Sequence, residues 1–209
     1  MRPREPPGAE RCRSSTTTDE TTTAYDPQDD DAADVRLAQA GDRDAFARLV
    51  VRHGAAATRA AAWFGAGPDT DDVVQEAFVK AWRAIDRFRG DAPFRPWLLR
   101  IVANQARNEV RSRKRRDARA LRAMELPDPV DPAVGAETAE RDRAVLAAVR
   151  SLRAADRDVV VCRWFLGLNE QETATALGIP RGTAKSRASR ALRRLRAALA
   201  QLEVDDARG

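Results

Sequence analysis

The 209-residue chain carries 37 Lys and Arg against 32 Asp and Glu, a net charge of +5, and is 43% hydrophobic. That length holds one ordinary domain or two small ones, and the sequence contains no apolar run long enough to cross a bilayer, so membrane insertion is not expected. Two cysteines, Cys12 and Cys162, and a single histidine, His53, offer neither a disulfide framework nor clustered zinc-ligand spacing. The first residues, MRPREPPGAERCRSS, lack the apolar core of an export signal, so a cytoplasmic protein without metal or cofactor is expected.

Residues 1–31 hold SSTTTDETTTAYDPQDDD, a Thr- and Asp-rich segment with little to bury, and read as a disordered tail. From residue 32 to residue 117 the periodicity is helical, broken at Gly41, at GAGPDT and at FRGDAP. Asp69 or Thr70 is expected to cap a helix beginning near Asp71. On that helix Val74, Phe78, Ala81 and Ile85 form an apolar stripe, while Asp72, Gln75, Glu76, Val79 and Arg83 face outward.

The next helix, FRPWLLRIVANQARNEVRSRKRR, sets Leu98, Ile101 and Val102 toward a core and lines up Trp97, Asn104, Asn108, Arg111 and Arg115 on another side. An aromatic ring, two amides and two guanidiniums supply a stacking surface, donors and acceptors for exposed base edges, and charge for a phosphate backbone. The loop Phe88–Pro93 precedes this face and is placed to frame a pocket for an extruded base.

Residues 118–138 include MELPDPVDPAVGAE, rich in proline and acid and without a period, and read as a linker. A second helical block spans residues 139–203, ahead of a short tail, 204–209. Its sharpest signal is NEQETATALGIPRGTAKSRASRALRRLR. Asn169 and Glu172 form a capping box, Gly178 ends a short helix, and a new helix starts near Pro180, the spacing of a helix-turn-helix. Ala184, Ala188, Ala191 and Leu195 make the buried stripe of the later helix. Lys185, Ser186, Ser189, Arg190 and Arg193 project elsewhere, toward phosphates and base edges. The expected architecture is all-α: two small helical domains joined by a flexible linker.

Three function classes are open to such a chain. One is a nucleic-acid-binding factor that places two DNA-reading modules on its target. Another is an ordinary helix-turn-helix regulator whose first domain senses or dimerises. An enzyme is the weakest, since Asp71 and Asp72 have no histidine, cysteine nucleophile or glycine-rich phosphate loop beside them.

DVVQEAFVKAWRAIDRFRGDAPFRPWLLRIVANQARNEVRSRKRR resembles the second conserved region of bacterial extracytoplasmic-function (ECF) sigma factors, of the sigma-70 family, and LRAADRDVVVCRWFLGLNEQETATALGIPRGTAKSRASRALRRLR resembles their fourth region. The resemblance implies a non-enzymatic transcription initiation factor that binds core RNA polymerase and promoter DNA and is held by an anti-sigma factor. It implies that Asp72, Gln75, Glu76 and Val79 dock on the clamp helices of the largest polymerase subunit, and that Asn104 with the loop Phe88–Pro93 captures a flipped base of the minus-ten element. Lys185, Ser186, Ser189 and Arg190 would read the minus-thirty-five element, and the linker, with Asp128 and Asp131, would thread toward the RNA exit path. The chain departs from the family at Arg153 and Ala154, where a proline usually follows the leucine, and at Thr173 and Ala184, where a larger aliphatic residue is usual.

Overall fold

The computed structural model describes the backbone of residues 27–120 and 138–206, and the side chains of residues 31–116 and 144–200. Helices α1 (Pro27–Gln39), α2 (Arg43–Trp63), α3 (Thr70–Ala84) and α4 (Phe94–Ala120) form the first module. Helices α5 (Thr138–Ser151), α6 (Ala154–Val160), α7 (Glu170–Leu177) and α8 (Arg181–Asp206) form the second. No strand occurs among the described residues. The expected linker falls largely on residues 121–137, outside them.

Local chemistry sets the boundaries. Asp42 begins α2, its Oδ1 accepting from the amides of Asp44 at 2.8 Å and Ala45 at 3.0 Å. The cap expected of Asp69 on α3 is not made. Its carboxylate turns instead to Arg113 of α4, 2.5 Å away, and Thr70 Oγ1 donates to the Gly67 carbonyl. A guanidinium outcompetes backbone amides for a half-exposed carboxylate because both partners of the bond are charged.

The start of the first module also differs from the sequence reading. Residues 27–31, placed there in a disordered tail, belong to α1, and Asp31 is buried. Its carboxylate lies 2.6 Å from Arg52 Nη1 and 2.9 Å from His53 Nε2 on α2. Composition alone could not show these partners, because they lie more than twenty residues downstream. Beside them Asp34 accepts from Arg48 Nε at 2.8 Å and Arg52 Nη2 at 3.0 Å.

Burial acts to raise the Asp34 carboxyl, but the hydrogen bonds and charges of Arg48 and Arg52 outweigh it and hold the group below the ordinary carboxylate value. A depressed folded pKa stabilises the fold above the unfolded value of about 3.9, and that stabilisation is lost as pH falls through the folded one. Asp34→Asn is therefore expected to lower the melting temperature by a few degrees at neutral pH. The gap from wild type should close as thermal scans move below pH 4, and a gap independent of pH would contradict the assignment.

The first module packs through small residues. Ala57, Ala60 and Ala61 of α2, Ala77 and Ala81 of α3, and Ala103 and Ala106 of α4 are buried, letting helix axes approach closely around Leu49, Phe78, Leu98 and Val102. Phe78 and Ala81 of α3, and Ile85 just after its end, are buried as the stripe required, and Val74 packs at the edge. The second module has a smaller core of its own: Val149, Leu152, Val160 and Ala191, with Phe165 and Leu195 against it.

The two modules do not stand apart on a tether. Helix α7 lies along α4. Val161, Cys162, Leu166, Leu168 and Ala176 of the second module join the core that contains Leu98, Leu99 and Ala103 of the first. Helix α4 is thus apolar on a second side, the one carrying Leu99 and Ala103. A module of about sixty residues buries too little surface by itself, and laying its apolar side on α4 compensates.

Within α7, Thr173 is completely buried and its Oγ1 has no hydrogen-bond partner among the described residues. An unsatisfied buried hydroxyl costs about 1–3 kcal/mol, whereas valine has nearly the same shape. Thr173→Val is expected to raise stability by about 1 kcal/mol, read as a higher urea midpoint with unchanged slope. An unchanged or lower midpoint would show that the hydroxyl is satisfied.

Candidate nucleic-acid and polymerase interfaces

The helix-turn-helix forms as the residues dictate. Asn169 Oδ1 accepts from the Glu172 amide at 2.9 Å, and Glu172 Oε2 accepts from the Asn169 amide at 2.7 Å, closing the capping box. Gly178 takes φ 64° and ψ 38°, left-handed backbone that a side chain rarely adopts, and the Ile179 amide returns to the Ala174 carbonyl at 3.0 Å. The chain then re-enters helix at Arg181. Ala184 and Ala191 are buried, with Ala188 and Leu195 half-buried, so α8 is seated by its small side.

That seating leaves Lys185, Ser186, Ser189, Arg190 and Arg193 all exposed on α8. Ser186 Oγ donates to the Thr183 carbonyl at 3.1 Å, which fixes one rotamer. Behind them the buried Asp156 of α6 accepts from Arg194 Nη1 at 2.8 Å and lies 4.0 Å from Arg190 Nη2. Arg194 thus anchors the helix to its module, and Arg190, half exposed, keeps donors free for a ligand. Asp156 was not among the residues singled out from the sequence. A lone aspartate early in a helix reads as a dipole partner, and only the fold brings α8 over it.

On α4, Asn104, Asn108, Arg111 and Arg115 are exposed in one row. Eleven residues of helix make that row about 16 Å long. Trp97 does not extend it as a free platform. It is half-buried against Phe88 and Phe94, with ring centroids at 5.0 and 5.5 Å, because the apolar ring gains more from those rings than from solvent.

The loop before α4 does frame a cavity, of about 300 Å³, between itself and α1. Asp31, Val35, Phe88, Gly90, Pro93 and Phe94 line it, and Gly90 has a positive φ of 75°. Phe88, Pro93 and Phe94 give it apolar rings, and the acidic residues Asp31 and Asp91 line it as well. Asn104 is not among the lining residues, since it stands ten residues, about 15 Å, along α4 from Phe94. The cavity and the amide row are therefore separate features of one surface.

The third surface is the outward side of α3. Asp72, Gln75 and Val79 are exposed, and Glu76 is half-buried and 3.6 Å from Lys80. With Gln105, Glu109 and Arg116 of α4 these residues line a shallow acidic groove. Lys80 also donates to Gln105, bracing α3 against α4, and within α4 Arg116 lies 2.5 Å from Glu109.

Comparison with known proteins places both modules in one family. Residues 49–116 match the family model Sigma-70 region 2, and residues 148–197 match Sigma-70, region 4. RNA polymerase sigma factor NccH of Alcaligenes xylosoxydans xylosoxydans is 37% identical over 185 residues, covering 86% of this chain and 99% of that one. The chain belongs to the ECF sigma factors of the sigma-70 family. RNA polymerase sigma factor CnrH of Cupriavidus metallidurans is 38% identical over 183 residues, 83% of this chain and 96% of that protein. The ECF RNA polymerase sigma-E factor of Escherichia coli K12 is 35% identical over 170 residues, 75% of this chain and 87% of its own. Among solved structures, CnrH in complex with the cytosolic domain of CnrY superposes with a TM-score of 0.61 at 33% identity, covering 82% of this chain and 98% of that one.

The sigma-factor reading therefore stands: the chain is a two-module ECF sigma factor that serves core RNA polymerase at promoters. Region 2 covers the loop Phe88–Pro93, the amide row and the acidic groove, while Asp31 and Val35 of the cavity lie before the matched residues. Region 4 covers the helix-turn-helix. No described helix is long and apolar enough to cross a membrane.

Proposed function

We propose that the sigma-factor activity of this chain is divided among the three surfaces. The acidic groove with Asp72, Gln75, Glu76 and Val79 meets core RNA polymerase. The α4 row of Asn104, Asn108, Arg111 and Arg115, with Trp97 behind the loop cavity, receives the minus-ten strand. Lys185, Ser186, Ser189, Arg190 and Arg193 enter the major groove at the minus-thirty-five element. The first module then runs from α1 to about residue 117, the linker covers about 118–138, and the second module runs from about 139 to 203.

The single observation that supports this division best is the exposure of both rows of readers at once. Each lies on a helix whose opposite side is fixed in a core, so neither needs rearrangement to meet a ligand. The cavity has features that suit an unpaired base: phenyl rings to stack on, and beside them the carboxylates of Asp31 and Asp91 to accept from an amino group. Extruding a base costs a few kcal/mol, and stacking returns about 1–3 kcal/mol per base, so the exchange is close to balanced before any charge contact is counted.

This factor carries out no covalent chemistry and works in the cytoplasm. Two similar structures are complexes, CnrH with the cytosolic domain of CnrY and RpoE of Bartonella quintana with the anti-sigma factor NepR, and the second, at 24% identity, shares the fold. By analogy an anti-sigma factor partners this chain as well.

The test is size-exclusion chromatography of the chain with core polymerase and labelled promoter DNA. A sigma factor co-elutes with polymerase and transfers promoter specificity to it. A free-standing helix-turn-helix regulator would instead bind the duplex equally well with polymerase left out.

A further inference from the structure

The loop cavity owes its shape to α1 as much as to the loop. Asp31, Val35 and Gln39 follow one another at i, i+4 and i+8 and so share one side of α1. The first two line the cavity. The third, half-buried at the last turn, uses both hydrogens of its side-chain amide on the facing wall. Gln39 Nε2 donates to the Ile85 carbonyl at 3.0 Å and to the Phe88 carbonyl at 2.8 Å, 46 and 49 residues downstream.

Those two carbonyls sit where the chain leaves α3 for the loop. Residues Ile85–Arg87 make a single tight turn, closed by the Phe88 amide returning to the Ile85 carbonyl at 3.0 Å, and Phe88 itself is extended, at φ −74° and ψ 114°. Holding both ends of that turn places Phe88, which lines the cavity and whose ring centroid lies 5.0 Å from Trp97 and 6.0 Å from Phe94. Next along, Arg89, Gly90 and Asp91 are exposed, and a Cβ on Gly90 would meet nothing within 4 Å. The tip of the loop stands free, so its distance from α1 is inherited from Phe88. A primary amide suits this place, having two donors for two carbonyls and no charge to desolvate.

We propose that Gln39 is a positioning residue for strand capture: its amide holds the Phe88 wall at a fixed distance from Asp31 and Val35, so the cavity is open to the right width before a base arrives. The inference rests on the reading that this cavity receives an unpaired base of the minus-ten strand. It brings α1, which lies before the residues 49–116 matched to region 2, into promoter opening. Walls set in advance spare the complex the ordering of the loop, and that gain is realised only when a base occupies the cavity.

A double-mutant cycle between this side chain and a base separates positioning from support of the fold. Wild-type chain and its variants are each bound to core polymerase and titrated with a promoter fragment whose minus-ten strand is unpaired. The strand is either intact or has one base at a time replaced by an abasic site. Gln39→Met keeps the length and removes both donors. It is expected to weaken binding of the intact fragment about 5- to 30-fold, the worth of one to two hydrogen bonds. On the fragment lacking the captured base, recognised as the position whose removal costs wild type most, Gln39→Met and wild type should bind equally. Gln39→Glu, of the same shape but without donors, should repeat this pattern, and Gln39→Lys, which keeps donors for the same carbonyls, should recover most of the loss.

A loss of equal size on intact and abasic fragments would show that Gln39 only supports the fold, and would overturn the proposal. Wild-type binding by both Gln39→Met and Gln39→Glu would do the same. If no abasic position weakens the wild-type complex, the cavity does not receive a base, and the functional reading falls together with this inference. If one position does, that reading stands whatever Gln39 contributes.

Discussion

Replacing Lys185 and Arg190 together by alanine is expected to weaken binding to minus-thirty-five duplex by about 2–4 kcal/mol, roughly 30- to 700-fold. Both side chains are exposed on α8, and neither supports the fold: the buried Asp156 retains Arg194 at 2.8 Å when the more distant Arg190 is removed. The loss should therefore appear in binding with no change in melting temperature. Where the two cations meet phosphates, each releases about 0.9 counterion, so the slope of log affinity against log salt should become shallower by up to about 1.8. Base contacts would instead relax sequence preference at the positions read. A variant with wild-type affinity, slope and preference would remove α8 from the DNA interface.

The second large effect is expected at Asn104. Its amide is exposed and its one described contact is the long one to Arg107, so Asn104→Ala costs the fold little. One amide on a base edge is worth about 1–3 kcal/mol, so open-complex formation on a minus-ten promoter should fall about 5- to 150-fold. Affinity for core polymerase should change less than twofold, because the acidic groove on α3 is a different surface. Permanganate footprinting of the melted strand, beside a polymerase co-elution assay, measures both. Lost polymerase binding in a folded variant would show that the amide row meets protein instead of DNA.

The two variants report on different stages of one mechanism. On the proposed division region 4 would contribute a charge-led duplex contact, tolerant of small errors in position because phosphates and groove edges recur along DNA. Region 2 has the harder task, as a strand must separate before its bases are available. On the proposed division the cavity would take one unpaired base, and the separate row of amides and guanidiniums would meet neighbouring base edges and the backbone.

Much of the fold was legible wherever a local rule decides the structure. The capping box of Asn169 and Glu172, the left-handed Gly178 and the small stripe of α8 depend on residues within a few positions of each other, and all formed as the spacing required. What depends on distant partners was not legible. Asp31 reads as one more acid in a polar tail until His53 and Arg52 are folded over it. Asp69 reads as a cap until Arg113 comes within 2.5 Å.

The contact between modules had a signal that was present but incomplete. Leu99, Ala103 and Ala106 give α4 a second apolar side, more than a helix buried on one side needs, yet nothing in the sequence says what covers it. At the candidate sites the exposed rows on α3, α4 and α8 followed from helical phase alone. Trp97 broke that rule because rings pack with rings, and Phe88 and Phe94 were near enough to claim it.

The central claim is that this chain confers promoter choice on core polymerase, and run-off transcription tests it most directly. Purified chain, core polymerase and genomic fragments are combined, and the transcripts are mapped. Discrete start sites downstream of a shared pair of elements, absent when the chain is omitted, are the predicted result. Transcript patterns identical with and without the chain, under salt low enough for polymerase binding, would contradict it.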